Sequence, residues 1–214
     1  KASFQPPILL LPAGGGNAFN HDLMNLDFEK ALIKLVNPTE KMIDILAIQT
    51  EGEIYYSFNV VGWGMVAQIN TLSEKLRWLL GLRYTVAALV KIFQNPVFKG
   101  KLIMDGKEID EKFSFVLMLN TQHTGKAMKM APMASLEDGL VDVIFVKHVS
   151  LFTLLSVFPQ IFTGKHIHSK YINYFQCKNV ELQSEPQTLV VDGEPILTSP
   201  FSLKVMQQQL KVIV

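Results

Sequence analysis

The chain has 214 residues, of which 49% are hydrophobic and 18% are charged, and its formal net charge is +1. This composition excludes an intrinsically disordered chain, which combines low hydrophobicity with high net charge. With so small a net charge, the chain has no overall electrostatic field that would favour binding to nucleic acid. The apolar surplus predicts a large core, an apolar ligand pocket or a surface that faces a membrane, and composition does not choose among the three.

Cysteine content and the length of the apolar runs narrow the class further. The single cysteine, Cys177, has no partner for an internal disulfide, which indicates a reducing compartment. The apolar run at residues 151–162 is too short to cross a bilayer, which takes about 20 residues, and Pro159 interrupts it. We therefore predict a chain that is soluble or associated with a membrane surface, without a membrane-spanning segment.

The first predicted elements are a strand, a glycine turn and a helix. Residues 8–11 are continuously apolar, which is typical of a strand buried in a parallel sheet. Gly14, Gly15, Gly16 and Asn17 follow, and glycines between a buried strand and a helix N-terminus let a phosphate approach free backbone N–H groups. The same glycines are equally compatible with a tight turn, and their spacing matches neither a Walker loop nor a dinucleotide-binding fingerprint. Because a parallel strand needs neighbours, we expect part of an α/β domain to precede residue 1.

The remainder of the chain alternates short apolar runs with turn dipeptides. Asp-Gly and Glu-Gly pairs supply the positive φ angles that tight hairpins need. Several hairpins at this spacing predict an antiparallel β-sandwich. The turn pairs are Glu51-Gly52, Asp105-Gly106, Asp138-Gly139 and Asp192-Gly193.

Two helical stretches interrupt the predicted strands. The first covers residues 73–94, and Thr71 with Glu74 forms a possible capping box at its start. The second, residues 151–162, is apolar nearly all round. Helices of this kind normally belong to a protein core. The functional alternative is that they line a slot for acyl chains.

Charged residues in two places are candidates for binding a nucleotide. Arg77 and Arg83 would point in different directions on an unbroken helix, but a break at Gly81 would let both converge on phosphates. The alternative is that each is an ordinary solvated arginine. Residues 192–194 form a hairpin turn first of all, and Glu194 could also reach an ATP ribose or Mg²⁺.

Metal-binding and hydrolase motifs are weak in this sequence. The spacing of His166 and His168 resembles that of a metal-ligand pair, but no second histidine or cysteine cluster lies at ligand spacing. We therefore predict no metal site there. No Gly-x-Ser-x-Gly segment indicates a serine hydrolase either.

Taken in order, the motifs resemble the sphingosine-kinase branch of the diacylglycerol-kinase-like lipid kinases. The resemblance extends along essentially the whole chain, and it is the order of the motifs rather than any single one that makes it specific. The motifs are Pro-Ala-Gly-Gly-Gly-Asn at 12–17, Gly-Trp-Gly at 62–64, Ser-Glu-Lys at 73–75, Arg-Tyr at 83–84, Asn-Thr at 120–121, Asp-Gly-Leu-Val-Asp at 138–142 and Val-Asp-Gly-Glu at 191–194.

This resemblance implies an α+β fold in two parts. Residues 1–40 would be the last strand–helix unit of an α/β nucleotide-binding domain, and residues 41–214 a mainly antiparallel two-layer β-sandwich with inserted helices that holds the lipid. The implied activity is transfer of the γ-phosphate of ATP, with Mg²⁺, to a lipid hydroxyl. The family's general-base aspartate belongs to a Gly-Gly-Asp-Gly segment expected upstream of residue 1, so this chain alone is expected to be inactive. The resemblance also implies a cytoplasmic protein in peripheral contact with a membrane.

The resemblance assigns roles to individual positions. The glycines and Asn17 would contact the nucleotide phosphates, and the two arginines would neutralise charge on the β- and γ-phosphates during transfer. The turn at residues 192–194 would contact the nucleotide from the second domain. The implied nucleotide-binding residues are Gly14, Gly15, Gly16, Asn17, Arg77, Arg83, Asp192, Gly193 and Glu194.

Departures from the family pattern bear on the substrate. Gly15 stands where relatives carry Thr or Ser, which removes one hydrogen bond to phosphate. Asn70 stands where sphingosine kinases have an aspartate that reads the amino-alcohol head, and Gln68 occupies the earlier acidic position. An amide offers no charge to an ammonium group, so we expect a neutral head such as diacylglycerol or ceramide. A non-catalytic lipid-binding relative and a soluble-substrate kinase of the NAD-kinase type remain as alternatives.

Overall fold

Eleven strands form one continuous antiparallel sheet in the part of the chain that the structure describes. The computed structural model describes residues 6–13, 17–23, 27–125, 128–198 and 200–214, with the backbone alone at 197 and 198. The strands are β1 (Glu40–Gln49), β2 (Ile54–Ser57), β3 (Val60–Gly64), β4 (Phe98–Met104), β5 (Lys107–Leu119), β6 (Val141–Lys147), β7 (Asn173–Cys177), β8 (Asn179–Gln183), β9 (Gln187–Val191), β10 (Glu194–Thr198) and β11 (Phe201–Ile213).

The long strand β5 is the branch point of the sheet. The main order is β10-β9-β3-β5-β4-β8-β11-β1-β2, and β6 and β7 extend from the other edge of β5. Residues 107–113 of β5 pair with β4, whereas residues 115–119 pair with β3 on one edge and β6 on the other. The β5–β6 register shifts between Phe113 and Phe115. A shift of this kind bends a strand, which here lets the sheet curl.

Side chains from distant strands of this order meet in one hydrophobic core. Leu46 of β1 and Leu203 of β11 share this core with Trp63 of β3, which is 1% exposed. The Trp63 ring lies 5.6 Å from that of Phe98 and 6.1 Å from that of Phe113, measured between centroids. The predicted α+β fold, a mainly antiparallel β domain with inserted helices, is therefore confirmed.

Short helices connect the strands. In the described ranges, no helix is long and apolar enough to cross a membrane. The α-helices are α1 (Ala18–Asp22), α2 (Phe28–Ile33), α3 (Met65–Lys75), α4 (Arg83–Gln94) and α5 (Leu151–Val157), and 3₁₀ turns cover Arg77–Leu82, Phe158–Phe162 and Lys165–His168.

The prediction of one helix over residues 73–94 is wrong. Helix α3 starts at Met65, directly after Gly64, whose φ of 81° turns the chain out of β3. Glu74 is therefore near the end of α3 and caps nothing, and the hydroxyl of Thr71 donates instead to the Ala67 carbonyl at 3.1 Å. The chain then kinks at Leu80, with φ 47° and ψ −119°, before α4 begins.

The buried strand predicted at residues 8–11 is also wrong for this chain. Ile8 makes one parallel bridge, to Val212 of β11, and is 43% exposed. Strands of parallel sheets are buried because both faces of the sheet are covered, whereas among the described residues Ile8 pairs with β11 alone and keeps much of its side chain exposed. Helix α1 nevertheless packs on the β domain, with the Phe19 ring 4.8 Å from that of Phe58. The division of the chain at residue 40 stays a prediction.

Asp142 in β6 is a fully buried carboxyl group inside the β domain. The Tyr174 hydroxyl donates to its Oδ1 atom, while Oδ2 has no partner among the described residues. Burial raises the pKa of Asp142 to about 6, although the hydrogen bond from Tyr174 opposes this rise. The folded protein therefore favours the protonated form of this group more strongly than the unfolded chain does.

We predict that Asp142→Asn removes a pH dependence of stability. A raised folded-state pKa contributes stability below the unfolded pKa of about 4, and this contribution is lost as the pH rises through about 6. Relative to the unmodified chain, the variant should therefore gain roughly 1 to 3 kcal/mol in unfolding free energy between pH 4 and pH 7. Urea denaturation at several pH values measures this difference.

Asp105→Asn is the matched control for this experiment. The backbone N–H groups of Lys178 and Asn179 donate to the Asp105 carboxylate and lower its pKa. The difference between this variant and the unmodified chain should therefore change with pH in the opposite direction. A difference for Asp142→Asn that is flat from pH 4 to pH 7 would contradict the account.

Candidate functional site

A cavity of about 1000 Å³ lies between the sheet and helices α3, α4 and α5. Ligand sites in proteins typically have volumes of about 300 to 1,000 Å³ and a mostly apolar lining with a few polar groups. The apolar part of this lining comes from the three helices, from β5 and from the 3₁₀ turn after α5. It includes Met65, Ile69, Ala88, Ile92, Phe115, Leu117, Leu154, Val157, Phe158 and Ile161.

Polar and charged residues also line the cavity. Arg77, whose side chain is 75% exposed, and the exposed Gly193 both line it. Asn59, Asn70 and Asp192 belong to the same lining. The cavity thus combines a mostly apolar lining with a few polar groups, some of them exposed to solvent, which suits a ligand that has an apolar tail and a polar head.

The carboxylate of Asp192 holds the β9–β10 turn against the start of β3. Its Oδ1 atom accepts hydrogen bonds from the Ser57 hydroxyl at 2.7 Å and from the Val60 N–H at 2.8 Å. The backbone N–H groups of Phe58 and Asn59 also donate to this carboxylate, at 3.0 and 3.1 Å. The left-handed φ of 48° at Asp192 gives the turn its shape. These bonds make Asp192 a residue that positions the cavity opening.

Asn70 joins helix α3 to the same turn. Its Nδ2 atom donates to the Gly193 carbonyl at 2.7 Å, and the residue is 7% exposed. Because this bond uses a single N–H of the amide, the Oδ1 atom and the second N–H keep hydrogen-bonding capacity. Glu194 follows on the exposed side of the turn and is absent from the cavity lining.

Arg77 and Arg83 converge on the carboxylate of Glu74. Arg77 Nε donates to Glu74 Oε2 at 2.7 Å, and Arg83 Nη1 lies 3.1 Å from Glu74 Oε1. The kink at Leu80 produces this convergence, because an unbroken helix would separate positions six apart around its axis. From the sequence, the break in the helix was predicted one residue later, at Gly81. Two guanidinium groups around one carboxylate have the geometry that binds an oxyanion.

The structure does not bring every predicted site residue to the cavity. Gly14, Gly15 and Gly16 lie outside the described residues, whereas Asn17 lines the cavity. Gln68 lines a separate small depression on the far side of α3, because two residues turn a helix by about 200° relative to Asn70. The binding roles predicted for these residues stay predictions.

Sequence reasoning missed three contributors to the site. Glu74 was interpreted as part of a helix cap, although its spacing from Arg77 already indicated an ion pair on a helix. The backbone of residues 57–60 carries no side-chain signal for its bonds to Asp192. His166 was weighed as a metal ligand alone, yet it is 1% exposed, lines the cavity and bonds through Nε2 to the Met130 carbonyl at 2.9 Å.

Metal-ligating side chains do not cluster in the part of the chain with described coordinates. No group of three or more His, Cys, Asp or Glu side chains there could hold an ion. We therefore assign no residue to Mg²⁺.

Comparisons with known proteins agree with this architecture. A crystal structure of a diacylglycerol kinase from Bacillus anthracis str. Sterne superposes with a TM-score of 0.67, at 16% identity, over 99% of this chain and 68% of that one. This likeness shows the fold. Among curated proteins, the diacylglycerol kinase of Mycobacterium tuberculosis is 26% identical over 97% of this chain and 69% of its own length. Sphingosine kinase 1 of Arabidopsis thaliana is 22% identical over 93% of this chain and 50% of its own length.

A family model covers most of the chain. It is described as the YegS C-terminal NAD kinase beta sandwich-like domain, and it matches residues 59–214. The chain therefore belongs to the YegS C-terminal domain family, and its relatives are lipid kinases of the diacylglycerol kinase, sphingosine kinase and YegS-like types.

Proposed function

We propose that this chain is the lipid-holding part of an ATP-dependent lipid kinase, which transfers the γ-phosphate of ATP to a lipid hydroxyl. The observation that carries the proposal is an apolar cavity of about 1000 Å³ whose opening lies beside two convergent arginines. The apolar interior suits an acyl chain, and the arginines suit the phosphates of the second substrate. The names of the relatives support the same reaction class.

The residues at the cavity opening fit a nucleotide. Glu74 already places an oxyanion between Arg77 and Arg83, and phosphate oxygens would take its place as the partners of these guanidinium groups. There the arginines would neutralise charge that develops during phosphoryl transfer. Asn17 would contact the phosphates, and Asp192 would hold the opening in shape. ATP would arrive with Mg²⁺, which supplies further charge neutralisation.

The apolar lining argues against a soluble-substrate kinase. A small polar substrate would leave the side chains of α5 and the following 3₁₀ turn facing water inside the cavity. Burial against an acyl chain removes this cost, at about 25 cal/mol per Å² of apolar surface. A lipid with a neutral head remains the substrate that Asn70 favours, since its amide carries no charge.

The proposed function is tested by label transfer. The complete reading frame that contains this chain and the 214-residue chain itself would each receive γ-labelled ATP, Mg²⁺ and a panel of sphingosine, ceramide and diacylglycerol in mixed micelles. We expect label in one lipid with the long form alone, because the general-base aspartate is expected upstream. Absence of label from every lipid, with lipid binding intact, would favour the non-catalytic relative instead.

We predict that Arg83→Gln in the complete protein lowers kcat/KM for ATP by roughly 10²- to 10³-fold, the usual cost of removing one donor to transition-state charge. Arg83 is the less exposed of the two arginines, with 28% of its side chain exposed against 75% for Arg77. Lys91→Gln is the control, because Lys91 is a cation of α4 that bonds Gln94 on the surface. Equal kcat/KM values for Arg83→Gln and the unmodified enzyme would show that Arg83 takes no part in phosphoryl transfer.

We predict that Asn70→Asp shifts lipid preference toward sphingosine, since a carboxylate attracts an ammonium group and the amide does not. The variant also loses the bond to Gly193, so some loss of thermal stability is expected. Thr71→Asp adds the same charge to α3 away from the cavity and should leave the preference unchanged. Rates with each lipid at saturating ATP measure the ratio. An unchanged ratio in Asn70→Asp would refute the role of Asn70 in head-group selection.

We propose that the protein, in the cytoplasm, takes its lipid from a membrane surface through exposed apolar side chains near the cavity. Leu80 lines the cavity and is 79% exposed, and Trp78 beside it is 74% exposed. Phe152 of α5 is 80% exposed. Membrane-surface binding grows with the apolar area that enters the bilayer interface.

We predict that Trp78→Asp combined with Phe152→Asp abolishes flotation of the protein with phosphatidylcholine vesicles. Phe28→Asp is the control, because Phe28 is 47% exposed on α2, which is absent from the cavity lining. If the double variant still floats with the vesicles and Phe28→Asp does not, the membrane contact lies on α2 and not beside the cavity.

A further inference from the structure

The carboxylate of Glu74 bridges Arg77 and Arg83 through both of its oxygen atoms. Its Oε2 atom accepts from Nε and Nη2 of Arg77, which together form an edge of the guanidinium group that suits an oxyanion. Its Oε1 atom lies 3.1 Å from Nη1 of Arg83. A phosphate that reaches these two arginines therefore meets cations that already share a carboxylate.

Arg83 has a second support that does not depend on Glu74. Its guanidinium carbon lies 4.8 Å from the centre of the Tyr84 ring, and its Nη2 atom lies 3.4 Å from the Tyr84 hydroxyl oxygen. A cation over an aromatic ring is attracted by the negative face of the ring. Tyr84 lines the cavity together with both arginines, whereas Glu74 is absent from the lining. If Glu74 released the guanidinium groups, Arg83 would keep its contact with the ring at the cavity wall.

Charge decides which anion the two arginines prefer. A carboxylate brings a single charge and a pair of oxygen atoms, whereas a terminal phosphate group brings about two charges and three oxygen atoms. Ion pairs between exposed side chains are weak, and the side chains of Glu74 and Arg77 are 33% and 75% exposed. A terminal phosphate can therefore displace the carboxylate, but its affinity is reduced by the contacts that it has to replace.

We infer that Glu74 is a displaceable counter-ion, which competes with the terminal phosphate of the nucleotide for Arg77 and Arg83. Tyr84 is the positioning residue that keeps Arg83 at the cavity wall when Glu74 is displaced. This inference rests on the proposed function, in which the arginines bind phosphate, and it adds control of that site by a carboxylate of the protein itself. After transfer, the same competition favours release of the nucleotide product, whose remaining phosphates carry less charge.

Binding of inorganic tripolyphosphate to the complete protein tests the competition without lipid or catalysis. Glu74→Gln removes the charge and keeps an oxygen that accepts from an arginine, so it weakens the competitor with little change in shape. By isothermal titration calorimetry, we expect this variant to bind tripolyphosphate roughly three- to ten-fold more tightly than the unmodified protein, because two exposed ion pairs no longer compete. Higher ionic strength should reduce this difference, because salt screens exposed charges.

Glu108→Gln is the matched control for the loss of one negative charge. Glu108 of β5 forms an ion pair with Lys101, with 2.7 Å between Oε2 and Nζ, and neither residue lines the cavity. Its replacement should leave the affinity for tripolyphosphate unchanged. An equal gain in Glu74→Gln and Glu108→Gln would reveal a general effect of net charge and would overturn the local competition.

Replacement of Tyr84 should act in the opposite direction. Tyr84→Leu removes the ring beside Arg83 and should weaken tripolyphosphate binding roughly three-fold, whereas Tyr84→Phe keeps the ring and should retain most of the affinity. Tyr171→Leu is the control, because Tyr171 also lines the cavity and has a cation near its ring, the Nζ atom of Lys170 at 5.2 Å. Equal losses in Tyr84→Leu and Tyr171→Leu would overturn the positioning role of Tyr84.

The Arg83→Gln variant separates a failure of this inference from a failure of the proposed function. If Arg83→Gln weakens tripolyphosphate binding and Glu74→Gln leaves it unchanged or weakens it, the competition is overturned and the arginines remain phosphate ligands. If the unmodified protein does not bind tripolyphosphate, or Arg83→Gln binds it equally well, the inference is overturned together with the phosphate-binding role of the arginines.

Discussion

The carboxylate of Asp192 accepts four hydrogen bonds from residues 57–60, and the geometry of the cavity opening depends on this junction. It fastens the end of β9 to the start of β3, and β3 leads through Gly64 directly into helix α3. Asn70 on α3 then bonds back to Gly193, which closes a loop of contacts around the opening. A buried or half-buried carboxylate that accepts several N–H groups is strongly favoured in one position. The helix that covers the cavity is therefore held to the sheet at its mouth.

Charge at the opening is partly neutralised within the chain itself. Glu74 lies between Arg77 and Arg83, so two cations that would otherwise repel are held together before any phosphate arrives. Exposed ion pairs are weak, typically below about 1 kcal/mol, so a multiply charged phosphate can take over the arginines at small cost. In the proposed function, the apolar interior receives a lipid tail and the arginines beside the opening receive a nucleotide.

Local features of the structure followed from the sequence, and features that depend on distant contacts did not. The turns at Asp105 and Asp192 were predicted from Asp-Gly pairs, and both aspartates have positive φ, because a turn is decided by the residues within it. The hydrogen bond between Ser57 and Asp192 joins residues that are 135 positions apart in the sequence, and no pattern within either segment predicts it. The start of α3 was misplaced by eight residues because the apolar run after Gly64 serves a strand and a helix equally well. The left-handed φ of Leu80 was likewise beyond prediction, since a leucine is not an expected site for that conformation.

The central claim is that the cavity holds an acyl chain, and photocrosslinking tests it most directly. A ceramide analogue with a diazirine at the middle of its acyl chain would be bound to the protein, irradiated and mapped by mass spectrometry. The account predicts labels on residues that line the cavity interior, such as Ile69, Leu154 and Phe158, and competition by unlabelled ceramide. Labels confined to the exposed aromatic residues outside the cavity, or labelling that excess ceramide does not reduce, would contradict it.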